Sequence, residues 1–385
     1  MEFYNFVNNN NITSFEVLKK TVEAEPYFLK VKEDNKCPDL ALLHSQPNSD
    51  FNLSIVRICN GLIIDKNNLK IVCYTFEKLK DDNTPVDEVN YNECFIEDAV
   101  EGSLIRLFFY NNIWQLSTKK CLCASSSKWI SNKNFQQLFM ESTTAELLTK
   151  LNKNNCYSFI MSHPENNIIY KPSKPILYHI STRDLNTLTE IDEDIGVTKI
   201  PRIPFSIYLE KASILNIYND YINHNTLNTE GYIFIDSSYR RHKIIKNNIK
   251  HLRQLWGNNN NRFFRYLELR KDNNLLTEYI NKFPIDKEIF VEYEKKVYEL
   301  ANNILEVYMN KFVNKTNTNV PFYFKKVIYF LHGDFLKSRE QTNKFKIMNY
   351  LLLIEPKEIC FMMNNIKKEN DKKNNENNNE NNMIS

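Results

Sequence analysis

Residues 103–118 read SLIRLFFYNNIWQLST, two apolar runs joined by Asn111-Asn112. Asparagine tolerates the left-handed backbone of a tight turn, so this stretch predicts a β-hairpin. A chain committed to a hairpin here folds around antiparallel sheet, and its neighbours have the same character. FNLSIVRICNGLIID (51–65) and LKIVCYTFEKL (69–79) are apolar β-branched runs with a turn at 65–68. NCYSFIMSHPENNIIY (155–170) predicts strand, turn and strand, and PILYHISTRD (175–184) a further strand. TEGYIFIDSSYRRHKIIK (229–246) predicts two short strands, and 205–226 a helix.

The pattern changes after residue 284. Phe290, Tyr293, Val297, Leu300, Ile304, Tyr308 and Phe312 fall three and four apart, one face of a long helix that Pro284 and Asp286 start. Helical stretches follow near 322–338 and 342–364. The tail NNENNNENN (374–382) offers nothing to bury, so disorder is expected from about Lys367. The expected organisation is an N-terminal segment (1–45), a strand-rich domain (46–260), a helical domain (261–366) and the tail (367–385).

Composition narrows the chemistry. There are only 6 glycines and neither GxxxxGK[ST] nor GxGxxG, which argues against a glycine-loop phosphate site. The net charge of +3 is too small to imply a polyanionic partner, so any nucleic-acid site must come from local clustering. Eight cysteines without a CxxC are read as reduced packing thiols of an intracellular protein. The opening MEFYNFVNNNN lacks a basic start and an apolar run, so no signal peptide is expected, and no stretch has the length of a membrane span.

An ordered series of short motifs carries the functional reading. EDAVEGSLIRLFFY (97–110) contains Ala99-Val100-Glu101-Gly102-Ser103, and Thr118-Lys119 follow at the end of IWQLST. YSFIMSHPENNIIY then supplies Phe159, Pro164, Glu165, Asn166 and Ile168. Glu230-Gly231-Tyr232-Ile233 comes next, and Lys243 and Lys246 lie in RRHKIIKNN, with Arg241 and Lys243 as the other possible pair. Upstream, RICNGLIID and CYTFEKLKD hold Asn60 and Lys78.

This series resembles the covalent nucleotidyltransferases, the ATP-dependent DNA and RNA ligases and mRNA capping enzymes, and within them the RNA-ligase branch of phages and large DNA viruses. The resemblance covers about residues 50–250. It implies an α+β, ATP-grasp-like nucleotidyltransferase domain of antiparallel sheets with flanking helices, followed by an all-helical C-terminal domain. It implies ATP and Mg2+ as cofactors, with Glu230 as a metal ligand and Lys78, Glu101, Gly102, Lys119, Lys243 and Lys246 around the nucleotide and its phosphates. In that family a lysine attacks the α-phosphate and carries the nucleotide as a phosphoramidate. The equivalent position here is Ala99, which has no lone pair. Ile160 and Asn167 also replace the Glu and Arg of the third motif, and Asn60 replaces an upstream Arg.

Residues 239–271, YRRHKIIKNNIKHLRQLWGNNNNRFFRYLELRK, contain Glu268 as their one acid. Arg240, Arg241, Lys250 and Arg253 there are candidate nucleic-acid contacts. The interleaved aromatics are expected in the core, and His332 as a hydrogen-bonded packing residue. Glu97 and Asp98 are read as solvated loop charges, with metal ligation as the sharper alternative. Lys78, Lys119 and Lys128 are candidates for a displaced nucleophile.

Three readings follow. One is an RNA-ligase-like enzyme impaired in lysine adenylylation. Another is a non-catalytic RNA- or nucleotide-binding subunit of a viral complex, a pseudoenzyme. The last is a structural protein. The resemblance places the protein in host cytoplasm or virion, with no membrane partner and a possible protein partner through the helical domain.

Overall fold

A computed structural model describes residues 2–78, 93–144, 146–204, 229–259, 261–316 and 319–383, without side chains at 203–204 and 373–383. The helix expected over 205–226 lies outside the described residues. The chain forms two compact units, 1–252 and 253–385.

Unit 1 opens with α1 (Glu2–Asn9) and α2 (Phe15–Glu23), then β1 (Lys30–Lys32), β2 (Leu40–His44), α3 (Ser54–Ile58), β3 (Leu62–Asp65) and β4 (Ile71–Cys73). The four strands form one antiparallel sheet in the order β1-β2-β3-β4. This sheet joins residues on both sides of the expected boundary at 45/46. Period-two alternation decides its packing. Ala41 and Leu43 of β2 pack with Phe3, Leu18 and Val22 from the two helices, while Leu40 and Leu42 pack with Phe108, Leu122 and Cys156.

The first half of FNLSIVRICNGLIID is helix α3, not the expected strand. Ile55, Ile58 and Cys59 lie three and four apart and are all buried, so one helical face satisfies the same apolar content.

β5 (Cys94–Ala99), β6 (Ser103–Tyr110), β7 (Ile113–Thr118), α4 (Phe135–Glu141), α5 (Glu146–Lys150), β8 (Asn155–Ser162), β9 (Ile176–Asp184) and β10 (Glu190–Ile191) follow. Then come β11 (Ile203–Pro204), β12 (Gly231–Asp236) and β13 (Arg241–Ile245). The hairpin forms as expected, with Tyr110 opposite Ile113 and Asn111 and Asn112 at φ 49° and 62°. A five-stranded sheet runs β10-β9-β8-β6-β7 and a four-stranded sheet runs β11-β5-β12-β13, both antiparallel. The strand expected at 167–170 is absent, because the Ile168, Ile169 and Tyr170 amides bond to a side chain instead of a ladder. The architecture is α+β with antiparallel sheets.

α6 (Asn247–Trp256) carries the boundary between the units. The described elements of unit 2 are helical: α7 (Arg262–Leu269), α8 (Asn273–Lys282), α9 (Lys287–Tyr308), α10 (Lys325–Ser338), α11 (Lys344–Leu353) and α12 (Pro356–Met383). α9 buries Phe290, Val297, Leu300, Ile304 and Tyr308 on its expected face. The stretch expected as one helix over 342–364 is two, because Pro356 lacks the amide needed to continue α11 and instead starts α12. α12 continues as helix through the tail where composition alone predicts disorder, since helical backbone bonds need no buried face. Among the described residues, no helix is long and apolar enough to cross a membrane.

Candidate functional site

The third sheet brings the first, fourth and fifth motifs together. Ala99 ends β5 opposite Gly231 of β12, and Gly231 lies opposite Ile245 of β13. The Glu230 amide donates to the Ala99 carbonyl at 2.7 Å, and the Lys246 amide donates to the Glu230 carbonyl at 2.9 Å. These two bonds hold positions 99, 230 and 246 side by side at one end of the sheet. Ala99 is 1% exposed. The Lys243 ammonium pairs with the buried Glu230 carboxylate at 3.1 Å, and the Lys246 ammonium donates to Thr229 Oγ1 at 3.2 Å. Lys246 also acts electrostatically on Asp98, next to Ala99.

Both glycines of the Glu-Gly pairs are steric necessities. A Cβ on Gly231 would overlap the Ile244 carbonyl oxygen. A Cβ on Gly102 would lie 2.6 Å from both Ile160 Cγ2 and the Met161 carbonyl oxygen, where β8 crosses the start of β6. Strand spacing alone therefore demands Gly at both positions.

Glu101 was expected near the nucleotide, but its carboxylate is already occupied. It accepts from the amides of Ile168 (2.7 Å), Ile169 (3.0 Å) and Tyr170 (2.6 Å). Burial pushes its carboxyl upward and the three amides pull it back. The Pro164-Glu165-Asn166-Asn167 turn is tied to the same loop. Asn166 donates to Ser103 Oγ at 2.9 Å, and Asn167 donates to the Glu101 carbonyl (3.2 Å), Ser162 Oγ (2.8 Å) and the Tyr170 carbonyl (2.9 Å). The Pro-x-Asn signal thus marks a turn that fastens the 101–103 loop to the five-stranded sheet.

Glu97 is not a solvated loop charge. It lies on β5, 5% exposed, and accepts from Arg202 Nε at 2.7 Å. Burial raises its carboxyl against the pull of Arg202. It shares a strand face with Ala99, two residues on. Together with His179, Ser181, Asp192, Lys199 and Arg202 it lines a cavity of about 260 Å³ walled by Ile180, Ile191, Ile200 and Pro201. Buried His179 Nδ1 and Ser181 Oγ have no hydrogen-bond partner among the described residues, and burial pushes the His179 imidazole down to about 4, keeping it neutral. No local sequence signal marks this cavity, since Glu97 and Arg202 are 105 positions apart.

The other expected residues divide. Lys119 lies in the turn closed by Thr118 and Cys121, with its carbonyl 2.8 Å from where a Gly61 Cβ would be. The Lys78 ammonium sits over the Phe51 ring at 3.5 Å. Arg240 pairs with Asp236 at 2.8 Å and stays half-exposed. Arg241 is buried in a bidentate pair with Glu190 and stacks on Phe76 at 4.7 Å, so it is not presented to a nucleic acid. Lys250 is partly exposed on α6.

In unit 2, Arg253 borders an open cleft of about 890 Å³ with Asn258, Asn259, Arg265 and Glu268. Much of the basic stretch is committed internally. Arg262 pairs with Asp286, Arg265 with Glu268 and Arg270 with Glu294. Trp256 and Tyr266 are core residues, as expected. His332 packs by stacking on Phe312 at 3.7 Å, but its buried Nδ1 has no hydrogen-bond partner among the described residues, unlike the hydrogen-bonded residue expected.

Among the described residues, no three His, Cys, Asp or Glu side chains gather as a metal cage. Glu230 offers one carboxylate beside Ala99. A divalent cation held mainly by nucleotide phosphates needs only one or two protein carboxylates.

No family model matches the chain. It is 25% identical over 298 residues to the immediate-early protein ICP-46 homolog of Invertebrate iridescent virus 6, covering 70% of this chain and 65% of that protein. It is 26% identical over 230 residues to the ICP-46 homolog of Invertebrate iridescent virus 3, covering 57% and 50%. The chain thus spans between half and two thirds of the length of the curated relatives it matches. Among solved structures, an archaeal ATP-dependent RNA ligase has a TM-score of 0.45 at 11% identity, over 78% of each chain. A lysine-to-alanine mutant of Naegleria gruberi RNA ligase with ATP and Mn has a TM-score of 0.33 at 13% identity, over 42% of this chain and 52% of that one. The chain is therefore similar in sequence to two iridescent-virus ICP-46 homologs, and the solved structures it resembles include ATP-dependent RNA ligases.

Proposed function

We propose that unit 1 is an RNA-ligase-like nucleotidyltransferase fold that binds a nucleoside triphosphate beside Ala99 and does not carry the nucleotide covalently there. The observation that supports this is the cluster of Glu230, Lys243 and Lys246 around a buried alanine. In this reading Lys243 and Lys246 hold the phosphates, and preorganised cations are what a triphosphate needs. A bound Mg2+ would supply charge neutralisation at the phosphates, with Glu230 as its protein ligand. The base enters the Glu97 cavity, where apolar walls face its rings and His179 and Ser181 supply unsatisfied polar edges.

Position 99 is the decisive test. Incubation with radiolabelled ATP or GTP and Mg2+, followed by a denaturing gel, is expected to leave the protein unlabelled. Retained label would overturn the reading, and peptide mapping would identify the displaced lysine. Ala99→Lys is expected to gain label if the phosphate side of the site is intact.

A non-catalytic role in binding RNA or nucleotide is supported by a separate observation. Lys243 already neutralises Glu230 at 3.1 Å, so the carboxylate is satisfied with no cation present. In that reading ATP binding persists in chelator. In the reading with Glu230 as a metal ligand it falls with Mg2+ removal.

A further inference from the structure

A second cluster of cations lies along the seam between the N-terminal sheet and the segment after β7. Lys30 and Lys32 lie on one face of β1, and His44 of β2 lies opposite Lys30 on that face. Lys32 Nζ crosses the seam to donate to the Lys120 carbonyl at 2.7 Å, and this fixes the Lys120 turn beside β1. Lys30 and Lys120 are exposed. The groups acting on the His44 ring are Lys32, Lys120 and Lys30, and those acting on Lys32 are Lys30, Lys120 and the Cys121 thiol. No carboxylate is among them. Glu33, the acid between Lys32 and Asp34, is turned to Lys19 and Lys66. Glu23, the other nearby acid, accepts from the Val31 amide of β1 at 3.1 Å. No carboxylate forms an ion pair with Lys30, Lys32 or Lys120 among the described residues, so an anion that joins these cations meets no bonded competitor.

His44 is an independent sign of a missing ligand. It is 7% exposed, its Nδ1 donates to the Ser45 carbonyl at 2.9 Å, and its buried Nε2 has no partner among the described residues. A buried ring nitrogen without a partner costs about 1–3 kcal/mol. Burial first, then the three lysines, hold this imidazole below its ordinary value. An anion on the lysines would reverse that balance.

We propose that Lys30, Lys32 and Lys120, with His44 behind them, form a phosphate-binding site that uses none of the residues around Ala99. The ligand chemistry is a phosphate group, from either a free polyphosphate or the backbone of a single-stranded nucleic acid. A phosphate raises the affinity of His44 for a proton, and by linkage binding tightens as pH falls through the imidazole titration.

The experiment follows the His44 ring by NMR in the full chain, assigned with His44→Gln, across a pH series. The probes are inorganic triphosphate and a single-stranded oligoribonucleotide, each at low and high salt. Either probe is expected to move the His44 titration midpoint to higher pH. A midpoint that rises by about one pH unit would mean about tenfold tighter binding to the protonated form. A larger response to triphosphate identifies a free polyphosphate. A larger, strongly salt-dependent response to the oligonucleotide identifies a backbone.

Lys30→Gln/Lys120→Gln, at two exposed positions, is expected to abolish the response and weaken binding about tenfold or more, as is Lys32→Gln. Lys243→Ala is expected to leave it intact, which separates this site from the one beside Ala99. A His44 titration indifferent to both probes, or a response unchanged in both lysine variants, overturns the proposal.

Discussion

Residues 101–102 and 230–231 are the same dipeptide, Glu-Gly, and the fold uses them differently. Both glycines are there because a neighbouring strand leaves no room for a Cβ. The two carboxylates diverge. Glu101 is bound by three backbone amides of one loop, whereas Glu230 is paired with a lysine side chain. One carboxylate is tied to backbone and the other to a side chain. An identical pair of letters thus carries two meanings, which only the partners distinguish.

The largest expected effect tests what the pairs share. Gly231→Ala should destabilise unit 1 by about 3 kcal/mol or more in urea unfolding, because the clash is with backbone and β13 must move. Gly102→Ala should cost somewhat less, since one of its three close contacts is a side-chain methyl. A neutral outcome at either position would remove the steric account.

The next effect tests the difference. Glu101→Gln replaces an acceptor of three N–H groups with an amide that has one oxygen and two donors. It should cost about 2–3 kcal/mol. Glu230→Gln keeps an oxygen for Lys243 and should cost about 1 kcal/mol, while reducing Mg2+-dependent ATP binding measured by calorimetry. Equal stability losses would erase the contrast.

The last test is Lys243→Met, which leaves the buried Glu230 carboxylate without its ion-pair partner. It should cost about 1–3 kcal/mol of stability and weaken triphosphate binding about tenfold. Unchanged binding would remove Lys243 from the phosphate site.

Several of these features are legible in the sequence, for identifiable reasons. The Asn111-Asn112 hairpin and the α9 face are local, so periodicity and turn chemistry suffice. The approach of Glu230, Lys243 and Lys246 to position 99 follows from motif order. Reading fails where a distant partner decides. Ile168 to Tyr170 look like a strand until Glu101 takes their amides. Arg241 looks like a phosphate contact until Glu190, 51 positions away, takes its guanidinium. Glu97 looks solvated until Arg202 buries it.

The carboxylate knot at Glu101 has a consequence for how this scaffold can change. The 101–103 loop, the Pro164 turn and the two tight glycines are held by amides and strand spacing. None of these bonds involves the side chain of residue 99. A change at residue 99 therefore leaves the frame beneath it standing, and the covalent step of the proposed reading would come or go with that one side chain.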